Sequence, residues 1–281
     1  MPAPGCLFVV ATPIGNLDDL TFRALRTLRD VALVAAEDTR HTAKLLHHYG
    51  VRTPTISLHD HNEASRAPAL VERMLGGASV ALVSDAGTPG VSDPGFKLIQ
   101  AAIRAGLRVE SIPGPSALLA ALVSSGLPTD AFVFAGFPPP KPRAREAWLL
   151  ALAADPRTVV FFEAPHRIRG TLEQARAVLG DREVSVAREL TKLHEEVLRG
   201  RLSDVLSRLT APRGEFTVVM AGAAETVAAE AAQPADNQVL AAFDEHVSSG
   251  CTRREAIAAV ARRFGLRTRD TYAAVERARH S

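Results

Sequence analysis

The stretch Val80-Ala-Leu-Val-Ser-Asp-Ala-Gly-Thr-Pro-Gly-Val-Ser-Asp-Pro-Gly95 decides the fold. Val80 to Val83 is an unbroken apolar run, the pattern of a strand buried on both faces of a parallel sheet. The residues that follow, Ser84 to Gly95, include three Gly, two Pro and two Asp. A loop of that composition at the exit of a parallel strand lies where open α/β sheets bind ligands, outside the carboxyl ends of the strands. Its glycines let backbone approach a ligand, its prolines stiffen the loop, and Asp85 and Asp93 offer acceptors.

Working outward, short apolar runs alternate with helical patterns. Strands are expected at Leu7–Ala11, Ala32–Ala36, Val80–Ser84 and Val109–Ile112, with helices near Leu20–Leu28, Thr42–His48, Glu63–Leu75 and Phe96–Ala105. That alternation predicts a mostly parallel sheet with helices packed on it. Pro113-Gly-Pro115 interrupts it. A second set follows: helix Ser116–Ser124, strand Phe132–Gly136, an exposed stiff loop Pro138–Pro142, helix Arg143–Ala153, strand Thr158–Glu163, helix Ile168–Leu179, strand Glu183–Ala187, an extended piece Glu196–Arg199, helix Ser203–Leu209 and strand Phe216–Ala221. The later strands need not all be parallel. The expected fold class is α/β, with two α/β domains (1–114 and 115–222) and a cleft between them. A linker (223–236) leads to a small C-terminal helix-turn-helix-like module (237–281). There Thr252 and Glu255 form a capping-box signature, Ile257, Val260, Ala261 and Phe264 give a helical apolar face, Gly265 is a stop, and Thr268 can cap a third helix.

The whole-chain numbers bound the function. The 281 residues are 47% hydrophobic and 23% charged, ordinary for a globular protein, and the net charge is +2, so any nucleic-acid site must be a local patch. Residues 235–281 carry 8 Arg against 6 acidic residues, with Arg262, Arg263, Arg267 and Arg269 gathered at one turn. That clustering favours a phosphate-contacting patch over a merely solvated face. Cys6 and Cys251 fit no metal-ligand spacing and read as reduced thiols, which points to the cytoplasm. No signal peptide and no membrane span is expected.

The strand-exit loops carry the chemistry. Ala11-Thr-Pro-Ile-Gly-Asn16 follows the first strand and taken alone is a plain βα turn, with Asn16 or Asp18 capping the helix. Glu37-Asp-Thr-Arg40 taken alone is a helix N-terminus with acids in its first turn. Three polar loops at neighbouring strand exits together point to a site. Phosphate-binding fingerprints are missing. No G-x-G-x-x-G follows the first strand, Phe96-Lys97 breaks the Walker pattern after Gly95, and Pro94 removes an amide. A ligand without phosphates fits better. In the second half, His166 within Glu163-Ala-Pro-His-Arg167 is a candidate base or substrate contact. Arg188-Glu-Leu-Thr-Lys192 is a dense polar cluster whose plain reading is a salt-bridged surface.

Seven motifs occur together and in order: Thr12–Asn16, Glu37–Arg40, Ser84–Pro89, Ser92–Gly95, Pro113–Ala117, Glu163–Arg167 and Ala187–Lys192. In them, about residues 5–221 resemble the bacterial small-subunit ribosomal RNA cytidine-2′-O-methyltransferases, a branch of the tetrapyrrole-methylase superfamily. The C-terminal module resembles the helix-turn-helix-like tail of many members. The resemblance implies S-adenosylmethionine as cofactor, held in the cleft by Pro13, Ile14, Gly15, Asp85, Ala86, Gly87, Thr88, Pro89, Ser116 and Ala117. It implies in-line attack of a cytidine ribose 2′-hydroxyl of ribosomal RNA on the activated methyl, with no metal required. Catalysis would rest mainly on positioning, with His166, Asp38 and Lys192 as candidate bases or orienters. Arg40, Arg167 and Arg188 would hold RNA phosphates, as would Arg262 and Arg263 of the tail. A homodimer is implied as well. Three other readings compete: methylation of a porphyrin-like precursor, a DNA-binding regulator that senses a ligand with its α/β part, and an α/β binding protein without catalysis, which leaves the second domain's polar loops without a role. The basic tail and Glu163–Arg167 weigh against the first. The short tail and modest charge weigh against the second.

Overall fold

A computed structural model describes residues 3–210, 214–223, 235–264, 266 and 268–280. Apolar runs become the strands of a first sheet: β1 (Cys6–Val10), β2 (Leu33–Ala36), β3 (Thr55–Ser57), β4 (Val80–Val83) and β5 (Arg108–Ile112). Their order is β3-β2-β4-β1-β5 and every pairing is parallel. All four residues of β2 and of β4 are buried, as expected of strands covered on both faces. Helices α1 (Phe22–Asp30) and α2 (Thr39–His48) cover one face through Ala24, Leu28 and Leu46. Helices α3 (Glu63–Leu75) and α4 (Phe96–Arg104) cover the other through Leu70, Met74 and Leu98. The two faces follow from strand order and right-handed crossovers. The connections from β1 to β2 and from β2 to β3 run one way along the sheet. Those from β3 to β4 and from β4 to β5 run the other. Neighbours β1 and β4 therefore send their chains apart, which opens a crevice at their carboxyl ends.

The second sheet has order β6-β7-β10-β8-β9, formed by β6 (Phe132–Phe134), β7 (Thr158–Glu163), β8 (Glu183–Arg188), β9 (Glu196–Arg201) and β10 (Phe216–Met220). Only the β6–β7 pairing is parallel. The extended piece after residue 195 is a full strand, in a hairpin with β8. Helix α5 (Ala117–Ser125) packs Leu118, Ala121 and Leu122 on this sheet, against Val160, Ala187 and Val219. The second sheet is served also by α6 (Pro142–Ala151), α7 (Ile168–Leu179) and α8 (Leu202–Arg208). The proline loop is less exposed than expected at its start. Pro138 is buried, and its carbonyl accepts from the Arg167 guanidinium.

Both sheets fall in one compact unit (1–149 with 157–221); residues 150–156 and 222–281 form another. The second unit contains α9 (Asp236–Ser248), α10 (Arg253–Phe264) and α11 (Thr268–His280) around Val239, Phe243, Ile257, Val260 and Val275. The capping box forms: Glu255 N donates to Thr252 Oγ1 at 3.4 Å and Thr252 N to Glu255 Oε2 at 2.9 Å. Thr268 is the first residue of α11 rather than its cap. Most of the expected linker, the stop at Gly265 and Arg267 lie outside the described residues.

Leu82 of β4 is buried between the β1 and β2 registers, opposite Val9 and Ala35. Leu82→Ala is expected to cost about 2–5 kcal/mol through lost burial and a residual cavity. Urea denaturation followed by far-UV circular dichroism measures this, and an unchanged midpoint would contradict the placement of β4 at the centre of the sheet.

Candidate active site

The loops after β1 and β4 are tied to each other. Thr12 N donates to Gly87 O at 2.9 Å and Gly87 N to Thr12 O at 3.0 Å, an isolated antiparallel bridge. Gly87 has φ +80°, a conformation L side chains rarely adopt, and the Ile14 methyl sits 3.4 Å from where a Cβ would be. The buried Thr12 hydroxyl donates to Ser84 O at 3.2 Å. The Thr88 hydroxyl donates to Pro115 O at 3.3 Å, which fixes the approach to α5, whose N-cap is Ser116. The loop after β2 joins through Asp85. Its Oδ1 accepts from Asp38 N at 3.0 Å, and its own N–H donates to Glu37 Oε2 at 3.2 Å. Asn16 caps a short 3-10 turn (Leu17–Asp19), and Thr21 caps α1.

The second sheet contributes the opposite side. The Glu163 carboxylate is buried. Its Oε2 accepts from the Thr171 hydroxyl at 2.6 Å and its Oε1 from Ala164 N at 2.8 Å, with Arg167 Nε 3.2 Å from Oε1. Between β8 and β9, Glu189 (φ +51°) and Thr191 (φ +66°) hold a tight loop in which Lys192 Nζ lies 3.0 Å from Glu189 Oε1. This loop presses on Gly15: a Cβ there would lie 2.5 Å from Lys192 Cγ and 2.8 Å from Leu190 O. Glycine at position 15 is thus what lets the β1 loop meet the β8–β9 loop. Ser92, the third non-glycine residue with positive φ among the described residues, is in the β4 loop. Strained backbone of this kind concentrates at functional sites.

These segments enclose a cavity of about 520 Å³. Of the residues expected to hold a cofactor, Ile14, Asp85, Ala86, Gly87, Thr88, Ser116 and Ala117 line it, while Pro13, Gly15 and Pro89 flank those that do. Lys192 lines it too. Asp38 and His166 do not: Asp38 is the N-cap of α2, and His166 is exposed in the turn after β7, one residue beyond the lining Pro165. Sequence reasoning did not single out as lining Glu37, Phe137, Phe162, Glu189, Glu215 and Thr217. Glu37 was visible at a strand exit. Glu189 lies inside the polar cluster Arg188–Lys192, and the others reach the cavity only through pairing within the second sheet. Phe162 meets Phe134 edge-on at 5.0 Å and Phe137 at 5.6 Å, an aromatic wall.

The cavity is acidic. Asp93 has its pKa pushed up to about 6, first by burial and next by the charge of Glu37, against a lowering hydrogen bond from Ser84. Burial also raises Glu37, offset by the Asp85 N–H and reinforced by the Asp85 charge. Asp38 is held well below the usual carboxylate range by the Arg40 side chain and backbone N–H. Arg188 Nε is 2.7 Å from Glu196, and Arg167 is engaged by Glu163 and Pro138. Arg40 is largely exposed beyond its pair with Asp38. In the helical unit, Arg263 pairs with Glu245 at 3.1 Å, and Arg262 is exposed near the end of α10. Among the described residues no cluster of three His, Cys, Asp or Glu is placed to hold a metal ion, and no helix is long and apolar enough to cross a membrane.

The sequence pattern of the Tetrapyrrole (Corrin/Porphyrin) Methylases matches residues 6–206. The chain belongs to this family, in the branch whose curated members are named ribosomal RNA small subunit methyltransferase I. It is 53% identical over 222 residues to the member from Synechocystis sp. (78% of this chain, 80% of that one). It is 48% identical over 252 residues to the one from Xylella fastidiosa (88% and 92%). It is 42% identical over 270 residues to the one from Halalkalibacterium halodurans (95% and 93%). Among solved structures, a diphthine synthase matches with TM-score 0.58 at 18% identity, over 80% of this chain and 94% of that one. The uroporphyrin-III C-methyl transferase from Thermus thermophilus, complexed with S-adenyl homocysteine, matches with TM-score 0.53 at 20% identity, over 76% and 97%. These two likenesses concern the fold.

The folded protein keeps the Asp93 proton up to about pH 6, whereas an unfolded chain releases it near 4. The stability this proton confers is complete below about pH 4 and lost as pH rises through about 6. The fall in thermal midpoint between those limits is therefore expected to be smaller in Asp93→Asn than in the wild type. Equal falls in the two proteins would contradict the assignment.

Proposed function

We propose that the chain is an S-adenosylmethionine-dependent methyltransferase that methylates a cytidine 2′-hydroxyl in small-subunit ribosomal RNA. The observation that carries the reading is the acid-lined cavity at the β1/β4 exits, walled by the family's motif loops. Its chemistry suits the cofactor. Glu37, Asp85 and Asp93 offer acceptors for hydroxyls and ammonium groups. Burial first, and then neighbouring carboxylate charge, raise the proton affinity of Glu37 and of Asp93, and a bound cation relieves the second of these. Phe137 and Phe162 offer apolar faces to an aromatic base. When bound, S-adenosylmethionine supplies a methyl group already activated on a sulfonium.

The residues of this chain then do the positioning, which can account for most of such a rate enhancement. Asp85 is oriented by the Asp38 N–H, so Asp38 acts through Asp85 and keeps α2 capped. Lys192, set by Glu189 in a rigid loop, is the group among the three candidates that borders the cavity, and we assign it the orientation of the acceptor. His166, in the turn braced by Glu163, Thr171 and Arg167, is placed to contact RNA rather than the methyl donor. Pro13 to Gly15, Asp85 to Pro89 and Ser116-Ala117 hold the cofactor. The substrate implies work in the cytoplasm. Helix α5 shows Leu119 and Val123, one turn apart, 51% and 73% exposed, an apolar face that a second copy would cover in a homodimer.

Asp85→Ala is expected to abolish S-adenosylmethionine binding by calorimetry, and wild-type affinity would remove the cofactor from this cavity. The activity itself is read with labelled S-adenosylmethionine and small ribosomal subunits from a strain lacking the enzyme, followed by nucleoside analysis. Label is expected on a cytidine ribose. Label on a base, on a porphyrin precursor offered in parallel, or on nothing would overturn the reading. In the same assay at saturating cofactor, Lys192→Ala is expected to lower the rate by about 10²-fold, the cost of a misplaced reactant.

A further inference from the structure

Ion pairing in the helical unit leaves one part of its surface basic. Arg277 is bidentate to Asp236 at 2.8 and 2.9 Å, and Arg279 lies 3.4 Å from Asp244. Arg263 is engaged by Glu245, and Arg253 by Glu276. Glu255 is occupied by its capping box, accepting from Thr252 N at 2.9 Å and from Thr252 Oγ1 at 2.7 Å. Among the described residues no carboxylate pairs with Arg254 or Arg269. Both are exposed, and both line one open groove of about 480 Å³ where the starts of α10 and α11 meet. Its other walls are Arg253, Ile257, Thr268 and Tyr272.

Tyr272 gives the groove its character. Tyr272 is 50% exposed, and the Arg253 guanidinium lies 5.5 Å from its ring centroid. Glu276 fixes that guanidinium, so the half-exposed ring is braced by a held cation. A supported aromatic ring in one groove with two uncommitted arginines is what a stacked base flanked by phosphates requires. A base inside a duplex cannot turn its face to a side chain, whereas an unpaired base can.

We propose that this groove binds single-stranded RNA, with Tyr272 as the stacking platform and Arg254 and Arg269 as the phosphate contacts. The inference rests on the reading of the protein as an RNA methyltransferase and states where the helical unit holds its substrate. It moves the contact from the Arg262–Arg263 end of α10, where Arg263 is paired, to the opposite end of that helix.

The test uses the full chain and a labelled single-stranded RNA of about 12 nucleotides, a length typical of such sites. Tyr272→Ala is expected to weaken binding about 10-fold or more, and Tyr272→Phe to retain it. Arg254→Ala with Arg269→Ala is expected to reduce the slope of log K against log salt by about 1.4, two single-strand phosphate contacts. S-adenosylmethionine affinity measured on each variant verifies the α/β unit, and circular dichroism melting verifies the helical unit. Absent binding by the wild type, unaltered binding by the variants, or equal dependence of duplex DNA binding on these residues would overturn the proposal. So would a loss confined to whole ribosomal subunits, because the groove would then hold a protein. A wild type that binds RNA through the groove yet transfers no methyl group would sink the function and leave the groove.

Discussion

The two-way backbone pairing of Thr12 with Gly87 is the constraint on which the site depends. Strands β1 and β4 lie side by side, yet their chains depart in opposite directions, so nothing in the sheet itself holds their exit loops together. The bridge does so with two hydrogen bonds, and it requires a left-handed residue at position 87. From it hang the seating of Ile14 against Gly87, the Thr88 bond to Pro115 and hence the start of α5 at Ser116. Backbone pairs are short and stiff. Loops fixed in this way are positioned before any ligand arrives.

A preformed acidic cavity carries a cost, because like charges in a half-buried space repel. The protein limits that cost with backbone N–H groups rather than with basic side chains: Asp38 N serves Asp85, and Asp85 N serves Glu37. A lysine or arginine there would neutralise the acids and also fill the space. The basic partners stand at the edge instead, with Lys192 on Glu189 and Arg167 on Glu163. The acids near Asp93 therefore stay available to a positively charged ligand.

Much of this was legible because burial on both faces writes strands as apolar runs. β7 stands as read, β4 ends one residue before its expected Ser84, and α3 and α7 fall within the bounds their periodicity set. β3 escaped notice. It is a three-residue edge strand after Pro54 in which Ile56 alone is strongly apolar, so neither period shows. The motif loops after β1 and β4 were readable as a site because Gly and Pro mark irregular backbone locally. Phe137 and Glu215 were not: parallel pairing of β6 with β7 brings the first there and antiparallel pairing of β10 between β7 and β8 the second, and neither leaves a spacing in the chain. The same holds for Arg263. It belongs to a basic cluster in sequence, but Glu245 on another helix answers it.

That last case bears on how charge should be read in this protein. A net charge of +2 describes a molecule that is nearly neutral from afar. Potentials decay within about 8 Å at physiological salt, so a ligand meets only the groups that remain unpaired where it lands. Counted by pairing, the cavity presents Glu37, Asp85, Asp93 and Glu215, and the helical groove presents Arg254 and Arg269. Opposite local fields thus coexist under a near-zero total. One favours a cation among carboxylates, and the other a polyanion beside an aromatic ring. Neither could be inferred from composition, because what separates the groups that act from those that merely balance is the ion pairing that only the folded chain creates.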